Sequence, residues 1–320
     1  MEDDWEEDVY QNTVVSGEPH YRDGVFVMAS IFFFSANRLT PLLSLCATVF
    51  ISASCGLLAS ASSNAHELWI APQSAPIATG DVLDIDIFVG ENFEGNAQIY
   101  LPRRTELLAI ASTEGVSDIQ PRIGSRPAIN FVAEADGHVM LMYQSADEYV
   151  HYTHFETFAD FITEKKVDDI LAQHQSRGLP KTQFTERYKR FAKASMFIGT
   201  PITNSIEIAP NDTDMELEFI LLQLNQAQSE VQEMHIRLTY KGEAVPLAPI
   251  SLLVKSEDQQ VTQTPLLTDN NGEIIITTLP LHQYLLDHVL VRPLDPKTDA
   301  NSAIWESLWA SLSFSRVVQP

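Results

Sequence analysis

A histidine at the start of a chain offers a metal two nitrogen ligands from one residue, its free α-amine and its ring. This sequence places His66 where that can happen. Ser63-Asn64-Ala65 is the small-x-small pattern cut by signal peptidase, and His66-Glu67-Leu68-Trp69 follows it directly. Cleavage after Ala65 would free the His66 amine. Amine and imidazole together close a chelate that suits Cu(II) or Ni(II), and a further imidazole would complete the set. The candidates for that imidazole are His151, His154 and His138. On an uninterrupted strand the rings of His151 and His154 point to opposite faces. They converge only if a strand-to-helix corner falls between them, and a helix is expected to begin near Phe155. The competing reading makes both surface or capping residues. Glu67 and Glu91 are candidates by type for the carboxylate that fixes a ligating ring's tautomer. His235 and His288 fall in strand patterns and read as packing or surface residues. His174 and His282 read as helix-end or loop residues.

Other chemistries find little support. There is no G-x-S-x-G, no His-Glu-x-x-His and no glycine-rich phosphate loop. Gly90-Glu91-Asn92-Phe93-Glu94-Gly95 follows a strand without opening a helix, so it fails the dinucleotide criterion. Carboxylates are so plentiful that chance pairs at a glycosidase spacing are expected. The expectation is a non-catalytic binding protein. Its rival is a metal-free envelope module that binds a protein or glycan through loops or aromatic residues, with Trp69, Trp305 and Trp309 to consider. Trp305 and Trp309, four apart, would share a face of a short helix, best explained as a helix packed on a sandwich.

The sequence before the cut reads as an address. Residues 28–65 form a signal peptide, with Arg38 as its positive charge and a largely apolar run from Pro41 to Leu58. An uncleaved anchor is the alternative, but the run is near the lower length limit for a span and carries several hydroxyl residues. Residues 1–27 hold an acidic head, the reverse of a basic signal start. They read as a mis-assigned gene start or a disordered tail. Both cysteines, Cys46 and Cys55, precede the cut. The exported chain would therefore have no disulfide and no thiolate ligand, and any metal must use histidine, carboxylate or the amine. The expected location is the periplasm, with no stable membrane span after cleavage.

The net charge is −23 over the whole chain, and −17 over residues 66–320 because the first 65 hold eight acidic and two basic side chains. Such a field repels nucleic acid and anionic lipid.

Alternating patterns predict strands at Asp81–Val89, Ala128–Ala133, His138–Tyr143, Glu216–Ile220, His235–Tyr240, Pro249–Val254, Ile274–Thr277, His288–Arg292 and Leu312–Phe314. Phe155, Phe158, Phe161, Ile162, Val167, Ile170 and Leu171 fit a helical face with a break near Lys166. A second helix is predicted from Thr182 to Phe197, with Tyr188, Phe191, Ala192 and Ser195 on one side. The fold class is mainly β: two β-sandwich (immunoglobulin/transthyretin-like) domains with a small α-helical insert. The first domain spans 66–200, with the insert at about 155–198, and the second spans 201–320.

Ala65-His66-Glu67-Leu68-Trp69-Ile70-Ala71-Pro72, the Gly90–Gly95 segment, Phe158–Ile162, Glu186–Lys193, Thr268–Gly272 and Trp305–Leu312 together resemble, in order, members of domain-of-unknown-function family 4198. The resemblance spans residues 65–320. It implies a periplasmic component of nickel or cobalt uptake, with an envelope metal transporter or another periplasmic protein as partner. It brings no agreed catalytic residues and no motif that matches His151 or His154. The combined expectation is a periplasmic protein that binds Ni(II), Co(II) or Cu(II) through His66, with His151 or His154 as a third ligand.

Overall fold

The computed structural model describes residues 66–167, 169–199, 207–225 and 232–317. The signal peptide, the cut, both cysteines and the 1–27 extension lie outside these residues.

The first part of the chain is a run of short strands: β1 (Glu67–Ile70), β2 (Val82–Ile85), β3 (Ile87–Glu91), β4 (Glu94–Ala97), β5 (Thr105–Ser112), β6 (Gly115–Asp118), β7 (Ile129–Val132), β8 (Gly137–Ser145) and β9 (Glu148–Tyr152). Two helices follow, α1 (Phe155–Glu164) and α2 (Asp169–Ser176), and then the long strand β10 (Phe184–Ile198). The remainder is β11 (Leu217–Asn225), β12 (Gln232–Tyr240), β13 (Glu243–Ala244), β14 (Pro249–Lys255), β15 (Val261–Leu267), β16 (Glu273–Thr278), β17 (Gln283–Pro293) and β18 (Trp305–Ser315). The protein is mainly β, as expected.

A nine-stranded sheet forms the middle layer, in the order β15-β14-β17-β18-β10-β8-β5-β6, with β9 beside the first half of β10. Its ladders are antiparallel except one: β10 runs parallel to β18 from Glu186 opposite Trp305 to Ser195 opposite Phe314. The boundary expected at 200–201 lies outside the described residues. The strands that flank it, β10 and β18, are hydrogen-bonded neighbours in one sheet, within one compact unit, Ala59–Pro320.

Side-chain alternation assigns the two faces. Met140, Met142, Phe191, Leu308, Ala310 and Leu312 point to one side, where they pack with Leu217, Phe219, Ile236 and Leu238 of the β11-β12-β13-β16 sheet. Val139, Leu141, Ala192 and Ala194 point to the other, against Leu68 and Ile70 of β1 and Ile85 of β2. Farther along that second face, the aromatic residues of α1 pack on Trp305 and Trp309.

Three expectations are corrected by this layering. The predicted Thr182–Phe197 helix is strand β10. Its Tyr188, Phe191, Ala192 and Ser195 mimic a helical stripe because both faces of the strand are covered, so apolar residues need not alternate. The helical insert is therefore confined to residues 155–176 instead of reaching 198. Trp305 and Trp309 lie on strand β18, where a spacing of four also keeps two residues on one face.

The Asp81–Val89 strand is divided at Asp86: β2 pairs with β7, and β3 pairs with β1. The Gly90–Gly95 loop is a tight hairpin. Asn92 and Phe93 both take positive φ, 54° and 61°, as a two-residue hairpin turn requires. A Cβ at Gly90 would collide with the Glu94 carbonyl, and one at Gly95 with the Val89 carbonyl. Those glycines let the two strands close under the Trp69 ring.

The helix break falls where the sequence places it. Lys166 adopts φ 59°, and the Val167 amide donates to the Ile162 carbonyl at 3.1 Å, a six-residue return that caps the helix. A glycine usually holds this position. Lysine here turns the chain sharply and leaves Lys165 directed into the protein.

Candidate functional site

His66 is the first described residue and half-exposed. Its ring Nδ1 lies 2.9 Å from Glu91 Oε1, and its carbonyl accepts from the Arg190 guanidinium at 3.1 Å. The β1–β3 ladder brings the pair together: Glu67 lies opposite Gly90, so the residues just outside that rung, His66 and Glu91, meet at the end of the two strands. Glu91, proposed by type, is thus the carboxylate partner. Glu67 is turned to the interior.

His151 is not brought to this point. It lies opposite Thr185 on β10, whereas His66 is held by Arg190. Five strand residues separate these positions, about 16 Å, and their odd and even numbers place them on opposite faces. The His151 ring is engaged locally, Nε2 with Gln183 Oε1 at 2.8 Å and Nδ1 with Thr185 Oγ1 at 3.3 Å. His154 sits at the expected corner, exposed and extended just before α1, and its side chain caps nothing. His138 is buried with both nitrogens used: Nε2 bonds Ser195 Oγ at 2.9 Å and Nδ1 accepts the Ala209 amide at 3.1 Å. Burial lowers its pKa to about 4, which keeps the ring neutral. Among the described residues no three His, Cys, Asp or Glu side chains are grouped as a metal would need.

The three tryptophans are core residues, at most 3% exposed, and offer no stacking surface. Trp69 stacks on Phe88 and meets Phe93 edge-on, and Trp309 stacks on Phe161.

A second group escaped the sequence reading. Lys165 Nζ lies 2.5 Å from Glu67 Oε1 and 3.2 Å from Asp287 Oδ2, and 5.0 Å from the centre of the Trp309 ring. All three charged residues are nearly buried, and they tie α1 to β1 and β17. Burial works against the Lys165 ammonium, but Asp287 and Glu67 outweigh it and hold its pKa above the ordinary lysine range. Burial pushes Asp287 up to about 6, opposed by Lys165 and reinforced by Glu67. Beside this cluster opens a cleft of about 300 Å³. The only hint in the sequence was the helix break at Lys166, because Glu67 and Asp287 lie 98 and 122 residues from Lys165 in the chain.

Glu186 is a third buried acid. It accepts from Tyr152 Oη at 2.9 Å and from the Ser307 hydroxyl. Burial raises its pKa to about 7 against the pull of those two donors and of Arg190. Its ordinary value is 4.5. Between those two values the folded chain binds the extra proton, so stability rises as pH falls from about 7 toward 4.5 and is lost as pH rises through 7. Glu186→Gln, which keeps a partner for both hydroxyls, should remove that slope and raise stability at pH 8 by up to about 3 kcal/mol. Urea unfolding of both proteins at pH 5 and pH 8 checks this. Equal differences at the two pH values would contradict it.

No curated protein matches the sequence. Among solved structures the chain is similar to the tetra-tandem repeat in the extending region of a large adhesion protein, with TM-score 0.18 and 8% identity, over 78% of this chain and 50% of that one. It thus spans half the length of that structure. It is similar also to the D0-D1 domain of intimin, with TM-score 0.18 and 8% identity, over 78% of this chain and 97% of that one. The model of the family described as a domain of unknown function, DUF4198, matches residues 63–291, well over half of the sequence, and the protein belongs to that family.

Proposed function

We propose that the protein is an exported, periplasmic, non-catalytic binding protein that takes a transition metal, Ni(II), Co(II) or Cu(II), at its His66 end in support of metal uptake or handling. The observation that supports this reading is the 2.9 Å separation of His66 Nδ1 and Glu91 Oε1. Two donors each about 2.1 Å from one ion, and at right angles to each other, lie about 3 Å apart. Ring nitrogen and carboxylate thus already stand at the bite of neighbouring ligands, and cleavage after Ala65 would add the α-amine beside them. His151 and His154 are left out of this ligand set, because the first has other partners and neither is brought to His66. An envelope metal transporter is the partner this reading implies.

The test begins with intact mass of protein harvested from the periplasm, which should begin at His66. Calorimetric titration with Ni(II), Co(II) and Cu(II) should then show one-to-one binding. Glu91→Gln and a variant with one extra residue before His66 should each weaken it at least about tenfold, the loss of a single ligand interaction of 1.4 kcal/mol or more. Equal binding by all three proteins would remove the site from this end of the chain.

A further inference from the structure

The charges of this chain are unevenly placed. Acids outnumber bases 43 to 20, yet residues 95–105 and 119–133 hold four arginines and no Asp or Glu. The fold sets these two segments side by side. The Tyr100 amide donates to the Ser125 carbonyl at 3.1 Å, and the Tyr100 carbonyl accepts from the Gly124 amide at 2.8 Å. The first loop carries a single short helical turn, Pro102–Arg104. The second folds back where the Ser125 amide reaches the Arg122 carbonyl at 2.9 Å.

One of the four arginines is committed, Arg104 to Glu148 at 2.7 Å. The side chains of Arg103, Arg122 and Arg126 are exposed and have no hydrogen-bond or ion-pair partner among the described residues. Every other described arginine is held by an acid or a carbonyl. The same two loops present Ile99, 49% exposed, and Ile123, 70% exposed. A guanidinium matches the oxygens of a phosphate with its fork of donors. An exposed isoleucine gains by leaving water. Loops that carry both suit a surface that is anionic outside and apolar beneath. None of these five side chains lines the clefts beside Lys165, His282 or His138. Protruding loops enter a bilayer interface without a groove, which favours a lipid surface over an acidic peptide.

We propose that these two loops are a membrane-docking surface, with Arg103, Arg122 and Arg126 on the phosphate groups of an anionic bilayer and Ile99 and Ile123 among the lipids just beneath. The net charge of −23 repels the rest of the chain from such a surface, so contact is made loops first. At physiological salt, charges farther off than about 8 Å are screened, while the loop contacts are not.

The experiment floats protein harvested from the periplasm, with chelator present, through a density gradient. One sample holds vesicles of phosphatidylcholine, the other vesicles of phosphatidylcholine mixed with phosphatidylglycerol. Flotation with the mixed vesicles alone supports the surface. Arg122→Ser with Arg126→Ser should lower that affinity at least about twentyfold, from about fivefold for each arginine near an anionic surface. Ile123→Ser should lower it about tenfold, from the transfer of one aliphatic side chain out of water. Lys297→Ser removes an exposed cation elsewhere and should change nothing. All variants should keep the wild-type melting temperature, because the substituted side chains are exposed. Flotation with neither vesicle, equal flotation with both, or undiminished flotation of the arginine or Ile123 variant overturns the proposal. An equal loss in Lys297→Ser also overturns it, by assigning the effect to net charge. Binding of oligoglutamate without flotation overturns it in favour of an acidic protein partner. Glu91→Gln should float like wild type, which separates this result from that of the metal titration.

Discussion

Replacing Lys193 by methionine should cost the fold about 3–5 kcal/mol, the usual penalty for removing one partner of a buried ion pair. Lys193 leaves the central sheet from β10 and enters the layer formed by β11 and β12. Both it and its partner Glu218 have side chains only 1% exposed. The ammonium donates to Glu218 Oε2 at 2.6 Å, to the Phe219 carbonyl at 2.9 Å and to the Asn211 carbonyl. Methionine fills the space but leaves a carboxylate and two carbonyls short of a donor. Thr213 would still donate to Glu218 from its hydroxyl at 2.8 Å and its amide at 3.3 Å, but two neutral donors do not neutralise a charge. The double variant Lys193→Met with Glu218→Leu should recover much of the loss, because an apolar pair has no charge to desolvate. Urea midpoints of the wild-type, single and double variants decide the matter. A single variant within about 1 kcal/mol of wild type would mean that water reaches Glu218, contrary to the packing described.

The second large effect is expected on the opposite face. Trp305→Ala should destabilise by about 3–5 kcal/mol, the range for removing a large aromatic side chain from a core. Trp305 is fully buried against Phe158, and its Nε1 donates to His174 Nδ1 at 3.0 Å. His174 in turn donates from Nε2 to the Pro180 carbonyl, and Arg177 lies over the indole at 4.7 Å. One ring therefore holds both helices to the sheet. Hydrogen exchange should show α1 and α2 losing protection before β11 and β12 do. Uniform loss across both layers would mean that the helices and sheets unfold as one unit.

How well the sequence could be read depended on how many faces of an element are covered. The β11–β12 hairpin packs on one side only, and its alternation, Glu216 to Ile220 and His235 to Tyr240, is plain. Strands β10 and β18 are covered on both sides, so their composition follows burial and carries no period of two. The charged residues in β10 deepened the ambiguity. A helix from Thr182 to Phe197 would turn Arg187 and Lys189 to solvent, yet Arg187 bonds Glu306 and Asp299, and Lys189 bonds Glu106. Helix α1 was legible because Phe158, Phe161 and Ile162 mark one face and its far side is wet. At the candidate sites, His66 could be named because it follows the Ser63-Asn64-Ala65 pattern, and Glu91 could be offered by type alone until the β1–β3 pairing brought it to His66. Asp287 and Lys165 could not, because an acid in a strand and a lysine after a helix are ordinary surface residues until the fold brings them together.

The parallel pairing of β10 with β18 also sets a timetable. The last described strand lies in the middle of the central sheet, between β10 and β17, about 120 residues after its parallel neighbour. Until it arrives, β10 and β17 each expose an unsatisfied backbone edge, and the Leu308, Ala310 and Leu312 part of the core is missing. Contacts that distant in sequence form slowly, and chains interrupted before them tend to associate. A nascent chain that stops short of residue 305 therefore lacks its keystone, and the rest of the molecule should wait for it as an aggregation-prone intermediate.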